Sequence, residues 1–561
     1  MKHIRTQCLC LFVAVVALGV IGRNGAHAVP LSSLTFTDVK LQSCVQTTAT
    51  TLGVTDSSGI TELNCPGSQI FSLEGLEALT SLSQLDLSGN AIRYITPISG
   101  LLTLTRVKLN DNSIVDLSPL AGLVNLRAID LSRNAIAVIP SMPNLTNLTS
   151  LVMADNQISD LTPLAVLTKL SALDVSQNQV ANLTPLARLT ELNALYLFGN
   201  SVVDLSPLAS LPRLTVAILS NNLITDISPL HTVSTLETLY LFDNQVVDLL
   251  PLVGLPALSN LGLSGNPVVN LAPLAMIPTL KILALDGIGQ AGSVPDLTPL
   301  GGLVGLNELY LVENSLTNIL GLAPLKNLAI LDISRNQISD LTPLAGLTAL
   351  TELRLDRNAI SDLKPLAALT NLRQLIISRN AVSDIAPLAA MTNLTSLDLT
   401  SNSVVDLTPL SGLLALTDLR LSSNQVLYVT PLSNLTALTR LDLNRNQLSL
   451  LTPLAGLTKL QVLALGFNQI ADVIPLSSLT ALQALSLSSN QVVNVRPLAS
   501  LIQLSILDLS DNQISEVRPL AVLTSLTQLD LSGNDDISCT SLALLDNALG
   551  MGVVITTVVC P

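Results

Sequence analysis

The 561-residue sequence has no tryptophan, five tyrosines, six phenylalanines, three histidines and only 12% charged residues. Each scarcity closes off a class of function. Basic residues are outnumbered 26 to 40 by acidic ones, a net charge of −14, which argues against a nucleic-acid ligand. Cys44, Cys65, Cys539 and Cys560 are not grouped with histidine at short spacing, so no metal centre is expected there. The only long apolar run, Cys8 to Ile21, is too short to span a bilayer.

That run follows Lys2 and Arg5 and is closed by Ala26-His27-Ala28, the pattern of a secretory signal peptide over residues 1–28. Cleavage after Ala28 releases a soluble chain without membrane insertion, secreted as an extracellular or periplasmic protein in an oxidising compartment. It removes three basic residues, taking the net charge from −14 to −17, and leaves His231 as the only histidine.

What the sequence has in abundance is one 22-residue unit, seen cleanly from Leu328 to Ala349. Leu328, Leu331, Ile333, Ile338, Leu341, Leu344 and Leu347 keep neither a steady helical nor a steady strand period, so the unit must bend around its own apolar residues. Leu331 and Ile333 alone show period two, which predicts a short strand with Ile330, Asp332 and Ser334 facing out. Pro343 suits the start of a tight 3₁₀ turn on the return side. Seven aliphatics release about 14 kcal/mol on burial against roughly 30 for ordering the backbone, so one coil unfolds and a stack folds. Asn336, where the chain leaves the strand, is placed to satisfy buried backbone groups of adjacent coils.

Asparagine holds one register from Asn90 through Asn266. A longer coil opening at Leu280 then carries a four-residue insertion near 287–293 with Ile288 in the asparagine slot, and the period resumes from Asn314 to Asn534. The expected layout is an N-terminal cap over 29–59, about 22 coils over 60–534, and a C-terminal cap over 535–561, with no second domain. In the first cap, Phe36, Val39, Leu41, Cys44, Val45 and Leu52 roughly follow helical spacing. Cys44 and Cys65 lie at one end of a stack about 100 Å long, Cys539 and Cys560 at the other, so pairing across the ends is geometrically excluded. Disulfides Cys44–Cys65 and Cys539–Cys560 are expected.

Leu-x-x-Leu-x-Leu-x-x-Asn-x-Ile, followed by Asp-Leu-Thr-Pro-Leu-Ala-x-Leu-Thr, resembles the leucine-rich repeat of internalin-type bacterial surface proteins over nearly the whole mature chain. The resemblance implies an α/β-class solenoid: a right-handed superhelix with a parallel concave sheet, short 3₁₀ or turn segments on the convex side, and protein binding through the concave face. The chain departs from characterised internalins in lacking an immunoglobulin-like module after the repeats and a sorting signal or wall-binding module.

Ten aromatics survive signal cleavage, and Tyr196, Phe198, Tyr240, Phe242, Tyr310 and Phe467 fall in strand-face slots. With Ile218 and Val312 sharing those slots, the face that is charged elsewhere is apolar between 196 and 312, the mark of a binding patch. Gly262, Ser264, Ala284 and Asp286 read as the floor of a notch with aromatic walls and a lip at Gly287 to Ser293. Arg335, Arg357 and Arg379 stack without acids between them, a second candidate site for an acidic partner. Asp332 with Arg354, and Arg420 with Asp398 and Asp442, read as cross-strand charge pairs. The recurring aspartate of the Asp340 slot reads as an edge for which hydration or backbone N–H bonds suffice, with calcium bridging as the alternative.

Chemistry finds little footing. Gly287 to Gly292 matches a dinucleotide-binding glycine pattern, but no helix follows to hold a pyrophosphate. His231 follows Pro229-Leu230 on the return side, away from the strand face. A regular ladder offers no water-excluded cleft in which to raise a carboxyl pKa. The reading is a cofactor-free, non-enzymatic, monomeric module that recognises a protein surface. The alternatives are an envelope or matrix scaffold without a discrete ligand, and an extracellular enzyme inhibitor.

Overall fold

The computed structural model describes residues 28–288, 294–550 and 552–560. It divides into two compact units, one of residues up to 136 with 140–148, the other of 137–139 with 149 onward. The division falls in the coil where Pro140 and Pro143 stand in place of the usual Thr-Pro-Leu.

The first unit opens with helix α1 (Val39–Leu52), whose Leu41, Val45 and Ala49 are buried at four-residue spacing; of the apolar face expected from the sequence, Val39, off that stripe, and Leu52, the last residue of the helix, are instead exposed. Gly53, at φ 67°, ends it in the left-handed conformation. Asp38 caps its start and ties it to the first repeat: one carboxylate oxygen accepts the Lys40 and Leu41 N–H groups at 2.7 and 3.3 Å. The other accepts those of Phe71 and Ser72 at 2.7 and 3.3 Å. Burial opposes the charge on Asp38, but these four donors outweigh it and hold the carboxyl below the usual range. The Cys44–Cys65 disulfide joins the helix to the first coil. Four parallel strands follow: Glu62–Asn64, Gln84–Asp86, Arg106–Lys108 and Ala128–Asp130.

The second unit runs from strand Ser150–Val152 to strand Val554–Ile555. Neighbouring strands pair in parallel one repeat apart, as in Ile330↔Glu352, Leu331↔Leu353 and Asp332↔Arg354. The insertion is absorbed outside the sheet, since Ile282↔Glu308 and Leu283↔Leu309 keep the ladder in phase across it. Each unit is a leucine-rich-repeat solenoid, strands on one side and 3₁₀ turns on the other, with the leucine positions of the repeat fully buried. The last coil leads into helix α2 (Cys539–Leu549) and an added strand, with Cys539 bonded to Cys560. The sequence had marked 535–561 only as a cap; the strand in it went unread.

Three devices recur along the repeats, the first two nearly throughout and the third in most coils. The Asn336 amide donates to the carbonyls of Leu311, Ile333 and Ser334 at 2.9, 2.9 and 3.0 Å and accepts the N–H groups of Asn314 and Leu316 at 2.9 and 3.0 Å. The residue before each asparagine is left-handed, with Arg335, Arg357, Arg379 and Phe467 at φ 55°, 56°, 56° and 56°. That conformation costs about 1 kcal/mol per non-glycine residue, and it lets the backbone N–H continue the ladder, as from Arg357 to the Ser378 carbonyl at 2.9 Å. Third, the aspartate slot caps the 3₁₀ turn: Asp340 accepts the Thr342 N–H at 2.8 Å, and Asp384 that of Ala386 at 2.9 Å. The aspartate row is therefore occupied by the chain's own turns.

Candidate functional site on the strand face

On an ordinary coil the two outward strand-face slots are partly exposed, as at Asp130 and Ser132 or Asp398 and Thr400. Between 196 and 334 the arrangement is more closed. Tyr196, Phe198, Tyr240, Phe242, Tyr310 and Val312 are half-buried, and Ile218 is buried. The Tyr240 and Phe242 rings stack with centroids 5.2 Å apart and planes at 27°. Phe242 leans over Gly262, where any Cβ would collide with its ring.

The notch expected from the sequence is thus not open. Gly262, Ser264, Ala284 and Asp286 are all buried, the last three at 2%, 1% and 3% exposure. At Gly262 the cover is the Phe242 and Tyr240 rings, which any Cβ built there would meet. Of the lip, Gly287 is left-handed at φ 66° and the buried Ile288 donates its N–H to Asn314 Oδ1 at 2.7 Å. Residues 289–293 lie outside the described residues.

The one carboxylate of that floor, Asp286, is buried with it. Asp286 Oδ1 accepts the Val312 N–H at 2.8 Å, and its own N–H donates to Ser264 Oγ at 2.9 Å. Burial pushes its carboxyl above the usual range, with the charge of Asp332 adding to the effect. Asp332 is raised too, again chiefly by burial, although it accepts the Ser334 N–H at 3.0 Å and faces Arg354 at 3.8 Å. Tyr310 hydroxyl donates to Glu308 Oε2 at 3.0 Å, and burial together with that carboxylate raises the phenol. Arg354 also pairs with Glu352, while its Nε finds no partner. The patch therefore joins apolar rings to a half-buried group of acids and one arginine.

The other candidates separate by surroundings. Phe467 belongs to the left-handed row, not the strand slots, and the Arg445 guanidinium lies 4.0 Å from its ring centroid. Arg335 lies 3.7 Å from Glu313, so that row begins with an acid, whereas Arg357 and Arg379 are exposed and have no ion pair among the described residues. Arg420 does not bridge to Asp398 and Asp442 as expected. It grips Asp418 of its own strand at 2.9 and 3.2 Å, because a two-residue step on one face suits the guanidinium fork. His231 is exposed on the turn side with Nδ1 2.7 Å from the Ser228 carbonyl oxygen.

Among the described residues no group of three or more His, Cys, Asp or Glu could hold a metal ion. Nor is any described helix long and apolar enough to cross a membrane.

Comparison with known proteins supports the repeat reading. A model of leucine-rich repeats in two copies matches residues 146–188, 326–368, 370–412 and 502–544. No curated protein sequence matches the chain. Among solved structures, the plant peptide hormone receptor RGFR1 in complex with RGF2 is 22% identical, with 87% of this chain and 89% of that one covered and a TM-score of 0.57. The TLR13–ssRNA13 complex is 25% identical, covering 89% and 84%, with a TM-score of 0.53. The functional domain of InlJ from Listeria monocytogenes is 21% identical, covering 68% and 82%, also with a TM-score of 0.53. The chain is built of leucine-rich repeats, and structures of that fold from plants and bacteria resemble it alike.

Proposed function

We propose that this chain is an exported, internalin-type leucine-rich-repeat protein that binds a protein surface through its strand face between Tyr196 and Val312. The observation that carries the reading is the change in character of the two strand-face slots, polar or charged on most coils and apolar on this stretch. Half-exposed tyrosines with one apolar face and one polar tip are the side chains that supply most binding energy at protein interfaces. The structures most like this one include complexes with RGF2 and with ssRNA13; the net charge of −14 favours a protein over an RNA here. Export rests on the leader motif and agrees with two disulfides. The chain works without a cofactor and as a monomer. Arg335, Arg357 and Arg379, further along the face, would take an acidic stretch of the same partner.

The test is capture with the mature chain from envelope, host-surface and secreted-enzyme fractions, followed by affinity measurement on the captured partner. The double variant Tyr240→Ala/Tyr310→Ala should lose at least about 2 kcal/mol of binding with unchanged circular dichroism, while Arg420→Ala loses little. A double variant that folds and binds within about twofold of wild type refutes this site. Absence of any saturable partner favours a scaffold role instead.

A further inference from the structure

The two ends of the protein treat their sheet edges differently. At the N-terminal end, helix α1 packs against strand Glu62–Asn64 and is stapled there by Cys44–Cys65. At the C-terminal end, helix α2 packs chiefly against the 3₁₀ turn Arg518–Val522, and strand Val554–Ile555 lies outermost among the described residues. Its inner side is used: Leu529 and Leu531 donate their N–H groups to the Val553 and Ile555 carbonyls at 2.9 and 2.8 Å. Alternation along a parallel strand turns the N–H and C=O of Val554 and Thr556 the other way, where no described residue meets them.

Natural sheet edges are blunted by lysine, proline or a bulge. The run Val553-Val554-Ile555-Thr556-Thr557-Val558-Val559 has no charge and no proline, and Ile555 and Val559 are 44% and 92% exposed. The chain around it is acidic: from residue 527 on there are Asp530, Asp535, Asp536 and Asp546 and no lysine or arginine, while Arg518, on the turn that α2 packs against, lies 3.8 Å from Glu516.

We propose that this edge docks an extended segment of a partner protein, a β-branched strand flanked by lysine or arginine, by adding it to the sheet. Backbone hydrogen bonds to Val554 and Thr556 supply the docking, and the acids select the flanks. A second copy of this chain would bring four like charges against four, so charge favours a basic stranger over self-pairing. The surface is independent of the aromatic patch.

The experiment uses the full mature chain and two labelled synthetic peptides of alternating threonine and valine, one with paired lysines at each end and one with paired glutamates. Fluorescence anisotropy should show the lysine-flanked peptide binding at least about tenfold tighter, with affinity falling as salt rises. Thr556→Pro removes an outward N–H and should abolish binding while the chain keeps its circular dichroism and its Cys539–Cys560 bond. Should that variant misfold, Ile555→Lys adds an edge charge and should reduce or reverse the preference. Equal binding of the two peptides, no binding, or full binding by a folded Thr556→Pro variant overturns the proposal. So does self-association in sedimentation that Thr556→Pro abolishes without any peptide affinity, which would assign the edge to a second copy.

Discussion

Phe242 and Gly262, on neighbouring coils, are in such close contact that any Cβ at 262 meets the Phe242 ring. Gly262→Ala must therefore push the ring off the face or shift the strand. A loss of about 1–3 kcal/mol of local stability is expected from the overpacking, with a change in near-ultraviolet circular dichroism from the displaced Tyr240–Phe242 stack. An unchanged spectrum and exchange pattern would show that the ring was never seated.

Removing the Asn336 amide leaves the N–H groups of Asn314 and Leu316 without their acceptor and takes one donor from the Leu311, Ile333 and Ser334 carbonyls, of which Ile333 keeps the Asn358 amide and Ser334 the Glu313 N–H. Asn336→Ala should cost about 2–4 kcal/mol. The loss should be read as faster hydrogen exchange confined to the adjoining coils, because each coil contacts only its neighbours. Spread of the effect to distant coils would contradict that one-dimensional coupling.

Asp38 gives a pH dependence of known sign. Its folded carboxyl is depressed, so its contribution is full above the unfolded value of about 3.9 and disappears as pH falls through the folded value. Asp38→Ala should remove about 3 kcal/mol from the N-terminal cap at neutral pH and should have little effect at strongly acidic pH. Exchange in α1 measured against pH checks both.

The buried pair Asp286 and Asp332 has the opposite sign. Both carboxyls are pushed up by burial, so their contribution is full below about pH 3.9 and is lost as pH rises through their folded values. Asparagine at 286 keeps an oxygen for the Val312 N–H and removes the charge. Asp286→Asn should flatten part of the wild-type slope and leave these coils at least as protected at neutral pH. A variant that exchanges faster there would show that the charge itself is needed.

Since the aspartate slots cap their own turns, chelation should leave the melting temperature nearly unchanged. A fall of more than about 10 °C on adding a chelator would mean that a bound cation was stabilising the stack.

The repeat was legible because it is dictated by where single side chains must go: leucines inward, Asn336 at the strand exit, Pro343 at the return turn. The same logic gave the cap helix and both disulfides. What the sequence could not give was anything set by one side chain leaning on another. Tyr240 and Phe242 read as walls, and only their packing over Gly262 turns the supposed notch into a covered patch. Asp286 stands out in the sequence as the one floor residue that is not small, but its bond to the Val312 N–H depends on the register across the insertion. For Asp340, by contrast, the sequence left water or backbone N–H groups as partners, and the Thr342 N–H two residues on is the one present. One signal was available and missed: Val553 to Val559 alternates little and is β-branched almost throughout, which is a strand even inside a cap.

The left-handed residue before each asparagine has a consequence of another kind. Its backbone is pinned by the ladder, while its side chain owes nothing to the core, so identity there can change without disturbing the coil. The row already runs Asp111, Arg133, Asp155, Gln177 in the early coils and Glu313, Arg335, Arg357, Arg379 in the middle. It is a line of interchangeable letters on a fixed carrier, one per coil at roughly 4.8 Å, in which a charge sequence can be rewritten position by position while the carrier stays the same.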